Sequence, residues 1–258
     1  MKVVNNASEL PSGCAFIPTM GALHEGHASL FRIGASLREN VVASIFVNPL
    51  QFENADDLAK YPRTKERDIE IAEAAGVTHL WFPEYSEIYP EGHPTLKAGP
   101  ISKLYEGASR AGHFDGVVTV VRRLFDLVKP DVAIFGEKDF QQLALIREIA
   151  DEVEIIAAPI IREADGLAMS SRNVRLSPEG RIAALVISKA LRNAHSENEL
   201  RDLLAQEPAF TLDYADFIDA TTFAHADAST TDIRAIVAGW INGVRLLDNM
   251  QMKSGAQV

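Results

Sequence analysis

The chain has 258 residues, 47% of them hydrophobic, which is enough to bury a sizeable core in one or two domains. Its 25 lysines and arginines against 36 aspartates and glutamates give a formal net charge of −11, which weighs against nucleic-acid binding because that depends on phosphate neutralisation. The single cysteine excludes an intrachain disulfide, and no apolar run approaches the roughly 20 residues that span a bilayer or forms a signal-peptide core, so we expect a cytoplasmic protein without membrane partners.

Along the first two thirds of the chain, short apolar runs alternate with helical patterns. We predict strands at 14–18, 41–47, 78–82, 131–135 and 154–160. We predict helices at 27–39, 65–75, 115–128, 138–150 and 178–194. This alternation is typical of βαβ units around a parallel sheet, and Cys14 is expected to be a small buried side chain in the first strand. Pro62 divides 56–75 into two shorter helices, because proline cannot continue a helix interior.

The remaining regions follow different patterns. Residues 83–113 contain Pro, Gly and Tyr without clear periodicity, and so long an irregular stretch predicts a functional segment, here a lid over the site. Beyond residue 173, a helix at 197–205 and strands at 212–218, 233–239 and 244–248 indicate a small α+β domain. We place the boundary within 162–174, which gives domains at 1–168 and 169–258. His195 and His225 have no motif around them and are predicted to lie at the surface.

The segment TMGALHEGH at 19–27 follows the first predicted strand. His24 and His27 are three residues apart, so on a helical turn they share a face. Gly21 and Gly26 lack a Cβ and let a ligand approach the backbone closely. Helix-terminal N–H groups with two imidazoles suit a polyphosphate, although a helix start with two surface histidines explains the same letters. The spacing does not match the zinc motif HExxH, whose histidines are four apart.

A second segment, GEKDFQQ at 136–142, follows the run 131–135, whose continuous apolar character is typical of a buried parallel strand. Lys138 is a compact cation suited to phosphate, and Asp139 can bind ribose hydroxyls or a metal. Gln142 lies one helical turn further on and can reach the same side. The alternative is an ordinary charged helix start, in which Asp139 interacts favourably with the helix dipole.

A third segment, MSSRN at 169–173, lies beyond the strand predicted at 154–160. Ser170 and Ser171 supply two hydroxyls and Arg172 a forked cation, which together predict a phosphate clamp on a loop. The alternative is a polar linker before the helix start at Ser177. Because the carboxyl ends of parallel strands meet at one edge of a sheet, we expect the three segments to converge and hold ATP for attack at its α-phosphate.

On these residues the chain resembles a known superfamily. HEGH at 24–27 resembles the HIGH signature, and MSSR at 169–172 resembles the KMSKS-type loop, of the nucleotidyltransferases that include class I aminoacyl-tRNA synthetases. More narrowly, the chain is similar to the pantoate–β-alanine ligase family. The segments that carry this likeness are PTMGALHEGH at 18–27, FVNPLQF at 46–52, YPRT at 61–64, FGEKDFQQ at 135–142 and READGLAMSSRN at 162–173. The likeness extends from about residue 16 to residue 249.

The resemblance implies an α/β fold, with a Rossmann-like parallel-sheet nucleotide-binding domain and a smaller α+β C-terminal domain. It implies an AMP-forming carbon–nitrogen ligase of coenzyme A biosynthesis that condenses (R)-pantoate with β-alanine. Pantoate would attack the α-phosphate of ATP to give pantoyl adenylate and pyrophosphate, and β-alanine would then displace AMP. The implied partners are pantoate, β-alanine, ATP and Mg²⁺, with no nucleic acid and no membrane, in a homodimer.

The resemblance also implies roles for individual residues. Catalysis would fall to His24, His27 as proton donor, Lys138 and Arg172. Gln51 and Gln142 would bind pantoate, Gln51 would also touch β-alanine, Asn48 would lie nearby, and Asp68 would hold the metal. ATP would be bound by Met20, Gly21, Ala22, Leu23, His24, Glu25, Gly26, His27, Gly136, Glu137, Lys138, Asp139, Ile161, Met169, Ser170, Ser171 and Arg172.

The chain departs from the family pattern in two places. The segment before Phe16 is short, and the family tends to carry paired acids where this chain has Arg67 and Asp68, so only Asp68 is carried over. Two other functions remain open at this point. One is a different adenylyl-transferring enzyme of the superfamily, which would not need an acid pocket at 46–52. The other is a non-catalytic ATP-binding protein, which predicts a broken catalytic set, whereas both histidines, Lys138 and Arg172 are present.

Overall fold

The structure is a computed structural model that describes residues 1–53 and 55–252. Six parallel strands form its larger sheet, in the order β1-β4-β3-β2-β5-β6. They are β1 (Lys2–Val4), β2 (Cys14–Thr19), β3 (Asn40–Ile45), β4 (His79–Trp81), β5 (Val132–Gly136) and β6 (Glu154–Ala158). The predicted parallel sheet is therefore confirmed. The edge strand β1 was not predicted, because three residues are too few to show a period.

Helices cover both faces of this sheet. They are α1 (Glu25–Leu37), α2 (Ala55–Ala59), α3 (Lys65–Ala74), α4 (Tyr85–Ile88), α5 (Glu106–Ser109), α6 (His113–Val128) and α7 (Phe140–Glu148). α6 is buried along most of its length on one face, whereas α1 and α3 pack on the other. Within the described residues, no helix combines the length and the apolar character needed to cross a membrane.

The central strand β2 decides where the motifs lie. It pairs with β3 on one side and β5 on the other, and Cys14 to Ile17 are fully buried. Cys14 is 0% exposed, so the expected small buried side chain is confirmed, and this burial raises the pKa of its thiol to about 11. Since all three strands run in parallel, Thr19, Ile45 and Gly136 mark one edge of the sheet, and the segments that follow them meet there.

The chain after Ala158 builds the smaller unit. It contains α8 (Pro178–Ala183), α9 (Leu185–Asn193), α10 (Glu197–Leu204) and the antiparallel strands β7 (Thr211–Asp219), β8 (Ile233–Ile241) and β9 (Val244–Gln251). Its core begins with Leu167, which lies within the range 162–174 predicted for the boundary, and the boundary itself stays a prediction. The exposed positions predicted for His195 and His225 are confirmed.

Three predicted helices are corrected by local capping. The helix predicted from 27 begins at Glu25, because His24 occupies the N-cap. The helix predicted from 138 begins as the 3₁₀ turn Glu137–Asp139 before α7. The helix predicted at 178–194 is divided at Ala184 into α8 and α9.

The irregular segment 83–113 is tied to the smaller unit at its carboxyl end. It contains α4, a 3₁₀ turn at Pro100–Lys103 and α5. Glu106 is 6% exposed, forms an ion pair with Arg245 and accepts a hydrogen bond from the Tyr214 hydroxyl at 3.1 Å. Its end is thus anchored, and the predicted lid movement stays a prediction.

We predict that Gly116→Ala destabilises the protein by about 1–3 kcal/mol, although alanine favours a helix by about 1 kcal/mol. A Cβ at Gly116 in α6 would collide with the backbone at Leu50 and lie 2.8 Å from the Gln51 nitrogen. Urea unfolding checks this. Gly136→Ala is the matched control, since its Cβ would meet nothing within 4 Å. Equal losses in both variants would contradict the steric argument.

Candidate active site

A cavity of about 240 Å³ opens at the carboxyl edge of β2 and β5. The predicted residues that line it are Met20, His24, Gly26, His27, Gln51, Gly136, Lys138, Asp139, Gln142, Ile161, Met169, Ser170, Ser171 and Arg172, together with Asn48. A second cavity of about 410 Å³ continues from it toward β9 and shares the walls at Lys138, Asp139, Ser170 and Arg172. The three sequence segments therefore do converge in one cleft.

Five predicted ATP ligands are not among the residues that line either cavity: Gly21, Ala22, Leu23, Glu25 and Glu137. The side chain of Glu25 pairs with Arg32 at the surface. Glu137 instead pairs with Arg234 of the smaller unit, at 3.1 Å. Their sequence neighbours face the cleft, but these two carboxylates point elsewhere.

The first motif fixes the tautomers of its two imidazoles. Nδ1 of His24 accepts a hydrogen bond from the Gly26 N–H at 3.1 Å, and Nδ1 of His27 accepts one from the His24 N–H at 3.3 Å. The ring centres are 4.1 Å apart. Since a backbone N–H can only donate, both Nδ1 atoms are unprotonated, and each neutral ring carries its proton on Nε2.

Burial keeps both histidines neutral. It lowers the pKa of His24 to about 4, assisted by the charge of Lys138, and lowers the pKa of His27 to about 3, assisted by His24 and Lys138. At neutral pH the rings are hydrogen-bond donors through Nε2–H rather than imidazolium acids. The role of His27 as a proton donor stays a prediction, and bound polyphosphate would favour it by raising the pKa.

Asp68 organises the first motif instead of facing the cavity. Its side chain is 1% exposed and accepts hydrogen bonds from the N–H groups of Ala22 at 3.0 Å and Leu23 at 2.8 Å and from the Thr64 hydroxyl at 2.9 Å. Both carboxylate oxygens are used by the protein, and Asp68 lines neither cavity described above. This geometry does not support the predicted metal ligand, and it explains how the loop before α1 is held in place.

The third motif is joined to the first. It forms a 3₁₀ turn at Ser171–Arg175, and the Ser170 hydroxyl accepts the Arg172 N–H at 3.3 Å. The Ser171 hydroxyl donates to the Ala22 carbonyl at 3.0 Å. Arg172 lies 3.4 Å from Asp57 of α2, which also pairs with Arg175 at 2.9 Å. The phosphate clamp predicted at 169–172 therefore lines the cleft, and the Arg172 guanidinium is paired with Asp57 of α2.

The segment at 46–52 forms the opposite wall. Asn48 is 1% exposed; it donates to the Gly116 carbonyl at 3.0 Å and to the Gln51 side-chain oxygen at 3.1 Å. Its own oxygen accepts from the Tyr89 hydroxyl at 2.8 Å. Asn48 therefore orients the amide of Gln51, a function that the sequence reading left unassigned.

Sequence reasoning missed Arg110 and His113, which also line the cavity. His113 directs Nδ1 at the Gln51 carbonyl, 2.8 Å away, and Nε2 at Arg110, 3.0 Å away. A carbonyl can only accept, so Nδ1 is protonated and Nε2 accepts from the guanidinium. Burial, with the charge of Arg110, lowers the pKa of His113 to about 3. The only sequence feature that pointed to these two residues was their polar character at the end of the irregular segment 83–113.

Comparison with known proteins identifies a family. The family model described as pantoate-beta-alanine ligase matches residues 2–251. The chain is 46% identical to a pantothenate synthetase of Chlorobium chlorochromatii over 92% of this chain and 89% of the relative. It is 43% identical to the pantothenate synthetase of Syntrophotalea carbinolica, over 96% and 98%.

Solved structures agree with the sequence relatives. A crystal structure of pantothenate synthetase from Thermus thermophilus superposes with a TM-score of 0.93 at 42% identity, covering 97% of this chain and 99% of that one. The Francisella tularensis pantoate-beta-alanine ligase, complexed with beta-gamma ATP and beta-alanine, superposes with a TM-score of 0.84 at 34% identity, covering 97% of each chain.

We predict that Asp68→Ala lowers the free energy of unfolding by about 3 kcal/mol in buffer containing EDTA, because three donors lose a charged acceptor. Urea unfolding measures this, with Asp202→Ala, an exposed helical acid, as control. If Asp68→Ala is as stable as the parent and loses only magnesium-dependent activity, Asp68 is a metal ligand after all.

Acid should destabilise the protein through these histidines. At a pH below 6.5, the ordinary pKa of histidine, His27 binds a proton in the unfolded chain. In the folded protein, where its pKa is about 3, His27 stays unprotonated over most of this range. The free energy of unfolding therefore falls as pH falls, by up to about 1.4 kcal/mol per pH unit for each such group. In urea titrations from about pH 7 to pH 5, His27→Asn should flatten this slope and the exposed control His195→Asn should not. An unchanged slope in His27→Asn would refute the burial argument.

Proposed function

We propose that this cleft joins (R)-pantoate to β-alanine at the expense of ATP, as the chain belongs to the pantoate–β-alanine ligase family. One observation carries the proposal. Two neutral imidazoles with Nε2–H groups, Lys138 and the Ser170–Arg172 clamp line one cavity, opposite an amide-lined wall. This is an arrangement of donors and cations for a phosphate beside a pocket for a small polar acid.

In the first step, a carboxylate oxygen of pantoate attacks the α-phosphorus of ATP. The new P–O bond forms as the bond to pyrophosphate breaks, and pyrophosphate leaves with the electron pair. Negative charge grows on the phosphate oxygens, and the Nε2–H groups of His24 and His27 and the ammonium of Lys138 are preorganised to stabilise it. Arg172 binds the departing phosphates, which compete with Asp57 for its guanidinium.

In the second step, the β-alanine amine attacks the acyl carbon of pantoyl adenylate. A C–N bond forms, the C–O bond to AMP breaks, AMP leaves with the electron pair, and the amine gives up a proton. In this proposal Gln51 contacts both substrates, and its placement is supported by Asn48 and His113, which hold its side chain and its carbonyl at the cavity wall. Gln142, on the facing element α7, binds pantoate from the other side.

The nucleotide lies along the first motif, the Gly136–Asp139 turn, Ile161 and the 169–172 loop. This direction is supported by the shared cavity walls, which lead from His27 past Lys138 toward the second cavity. The related Francisella protein in complex with an ATP compound and β-alanine supports the same pair of substrates. A different adenylyl-transferring activity would leave the Asn48–Gln51 wall without a role.

One residue of the cleft is suited to bind Mg²⁺. Mg²⁺ in such sites is held by substrate phosphates, water and one or two carboxylates. Among the described residues that line the first cavity, Asp139 is the only carboxylate, and its side chain is 48% exposed beside Lys138. The ion would offset phosphate charge. A homodimer rests on the family resemblance, and a cytoplasmic location rests on the cysteine content and the apolar pattern of the sequence. Both stay predictions.

The reaction is tested by its products. With pantoate, β-alanine and ATP, the protein should form pantothenate and AMP, and with pantoate and ATP alone it should exchange pyrophosphate into ATP. His27→Ala and Lys138→Ala should each slow exchange by about a hundredfold or more, because each removes a preorganised donor. Lys189→Ala, a surface change on α9, is the control.

The outcomes separate the open functions. Formation of ADP would exclude the adenylate route, and exchange without pantoate would indicate a different adenylyl acceptor. A protein that binds ATP but neither exchanges pyrophosphate nor forms product would be a non-catalytic relative. Normal single-turnover adenylation in both variants would remove the roles of His27 and Lys138.

Gln142→Ala should weaken pantoate binding on the order of 1–3 kcal/mol and leave ATP binding nearly unchanged, because a small polar ligand loses one of few hydrogen bonds. Calorimetric titration with each ligand measures both affinities. Gln206→Ala, outside the residues that line the described cavities, is the control. Weaker ATP binding with unchanged pantoate binding would move Gln142 to the nucleotide site.

A further inference from the structure

The turn that carries Lys138 is held from the other unit of the protein. Lys138 lies in the 3₁₀ turn Glu137–Asp139, between the end of β5 and the start of α7. The carbonyls of Glu137 and Lys138 accept hydrogen bonds from Nδ2 of Asn249, at 3.0 and 2.9 Å. Asn249 lies in β9, more than a hundred residues further along the chain.

Asn249 is itself fixed. It is 3% exposed, and its Oδ1 accepts a hydrogen bond from Nε of Arg234 at 2.7 Å. The same guanidinium bonds the Glu137 carboxylate at 3.1 Å and lies 4.0 Å from the centre of the Phe140 ring. Both amide hydrogens and one lone pair of the amide oxygen therefore take part in hydrogen bonds, so the side chain has a single orientation. Arg234 and Asn249 together grip the turn at its backbone and at one side chain.

The adjacent residue of β9 grips the connection between the units. Asp248 is 4% exposed and accepts two hydrogen bonds from Arg162, one of them at 3.0 Å. Successive side chains of a strand point to opposite faces. Asp248 and Asn249 thus bind the linker and the Lys138 turn from one strand, which sets the turn at a fixed place relative to the linker that leads into the 169–172 loop.

We infer that Asn249, oriented by Arg234, is a positioning residue for adenylation that acts through Lys138. Asn249 does not itself line the first or the second cavity, but its hydrogen bond to the Lys138 carbonyl helps to set where the Lys138 backbone lies. A displacement of about 1 Å in a group that stabilises a transition state can cost about a hundredfold in rate. The inference rests on the proposed role of Lys138.

The test is a mutant cycle on single-turnover pantoyl adenylate formation. Asn249→Asp keeps the shape and replaces the two donors by a carboxylate facing two carbonyls. It should lower the adenylation rate about tenfold to a hundredfold, with little change in the KM values of ATP and pantoate, since the contact matters in the transition state. In a Lys138→Ala background the same substitution should have almost no further effect, because the group that it positions is gone.

Three controls make the result decisive. Asn242→Asp, at the exposed β8–β9 turn of the same sheet, should leave the rate unchanged. Asn249→Gln keeps the two donors and should recover part of the rate. Melting temperature and circular dichroism are measured for every variant, and Asn249→Ala replaces Asn249→Asp in the cycle if the latter does not fold.

Two results would overturn the inference: a normal adenylation rate in the folded Asn249 variant, or a loss that multiplies fully with that of Lys138→Ala. Aminolysis of preformed pantoyl adenylate serves as an internal readout, and it should be affected less than adenylation. If Lys138→Ala alone adenylates normally, the assignment of Lys138 fails, which is distinguishable from failure of the role of Asn249.

Discussion

The burial of β2 is the constraint on which the rest of the structure depends. A strand whose side chains are enclosed on both faces can carry no chemistry along its length, so polar residues come only after its end. Because β3 and β5 flank it in parallel, their polar continuations are brought to the same edge. Thr19 closes this arrangement by donating to the Ser44 carbonyl at 2.8 Å and accepting the Gly21 N–H at 3.2 Å.

The electrostatics of the cleft follow from that enclosure. His24 and His27 are half-buried at the cavity wall and lie near Lys138, so a protonated ring would lose part of its hydration and meet a like charge. The backbone N–H groups that fill their Nδ1 atoms leave Nε2–H as the only donor of each ring. Neutral imidazole donors beside the Lys138 ammonium stabilise negative charge on a bound ligand. Phosphoryl transfer requires such donors, because negative charge grows on the phosphate oxygens in the transition state.

The smaller unit supports the site from outside. Its antiparallel sheet binds the Lys138 turn through Asn249, the linker through Asp248, and the end of the 83–113 segment through Arg245. All three contacts use charged or amide side chains that are mostly buried, and such contacts are directional. The sheet therefore contributes orientation to a cleft whose reacting groups belong mainly to the other unit.

By itself, the sequence determined the parallel α/β class, five of the six strands of the larger sheet, and the three segments that meet at its edge. Those features are local, since apolar runs, glycines and capping residues act within a few positions. Only the tertiary structure decided which residues contact one another across long distances in the chain. Asp68 reads as an acid near the phosphates, yet it is bonded to two backbone N–H groups 45 or more residues away. Arg110, His113 and Asn249 carry no motif, because their function depends on what the fold places beside them and not on their neighbours in the chain.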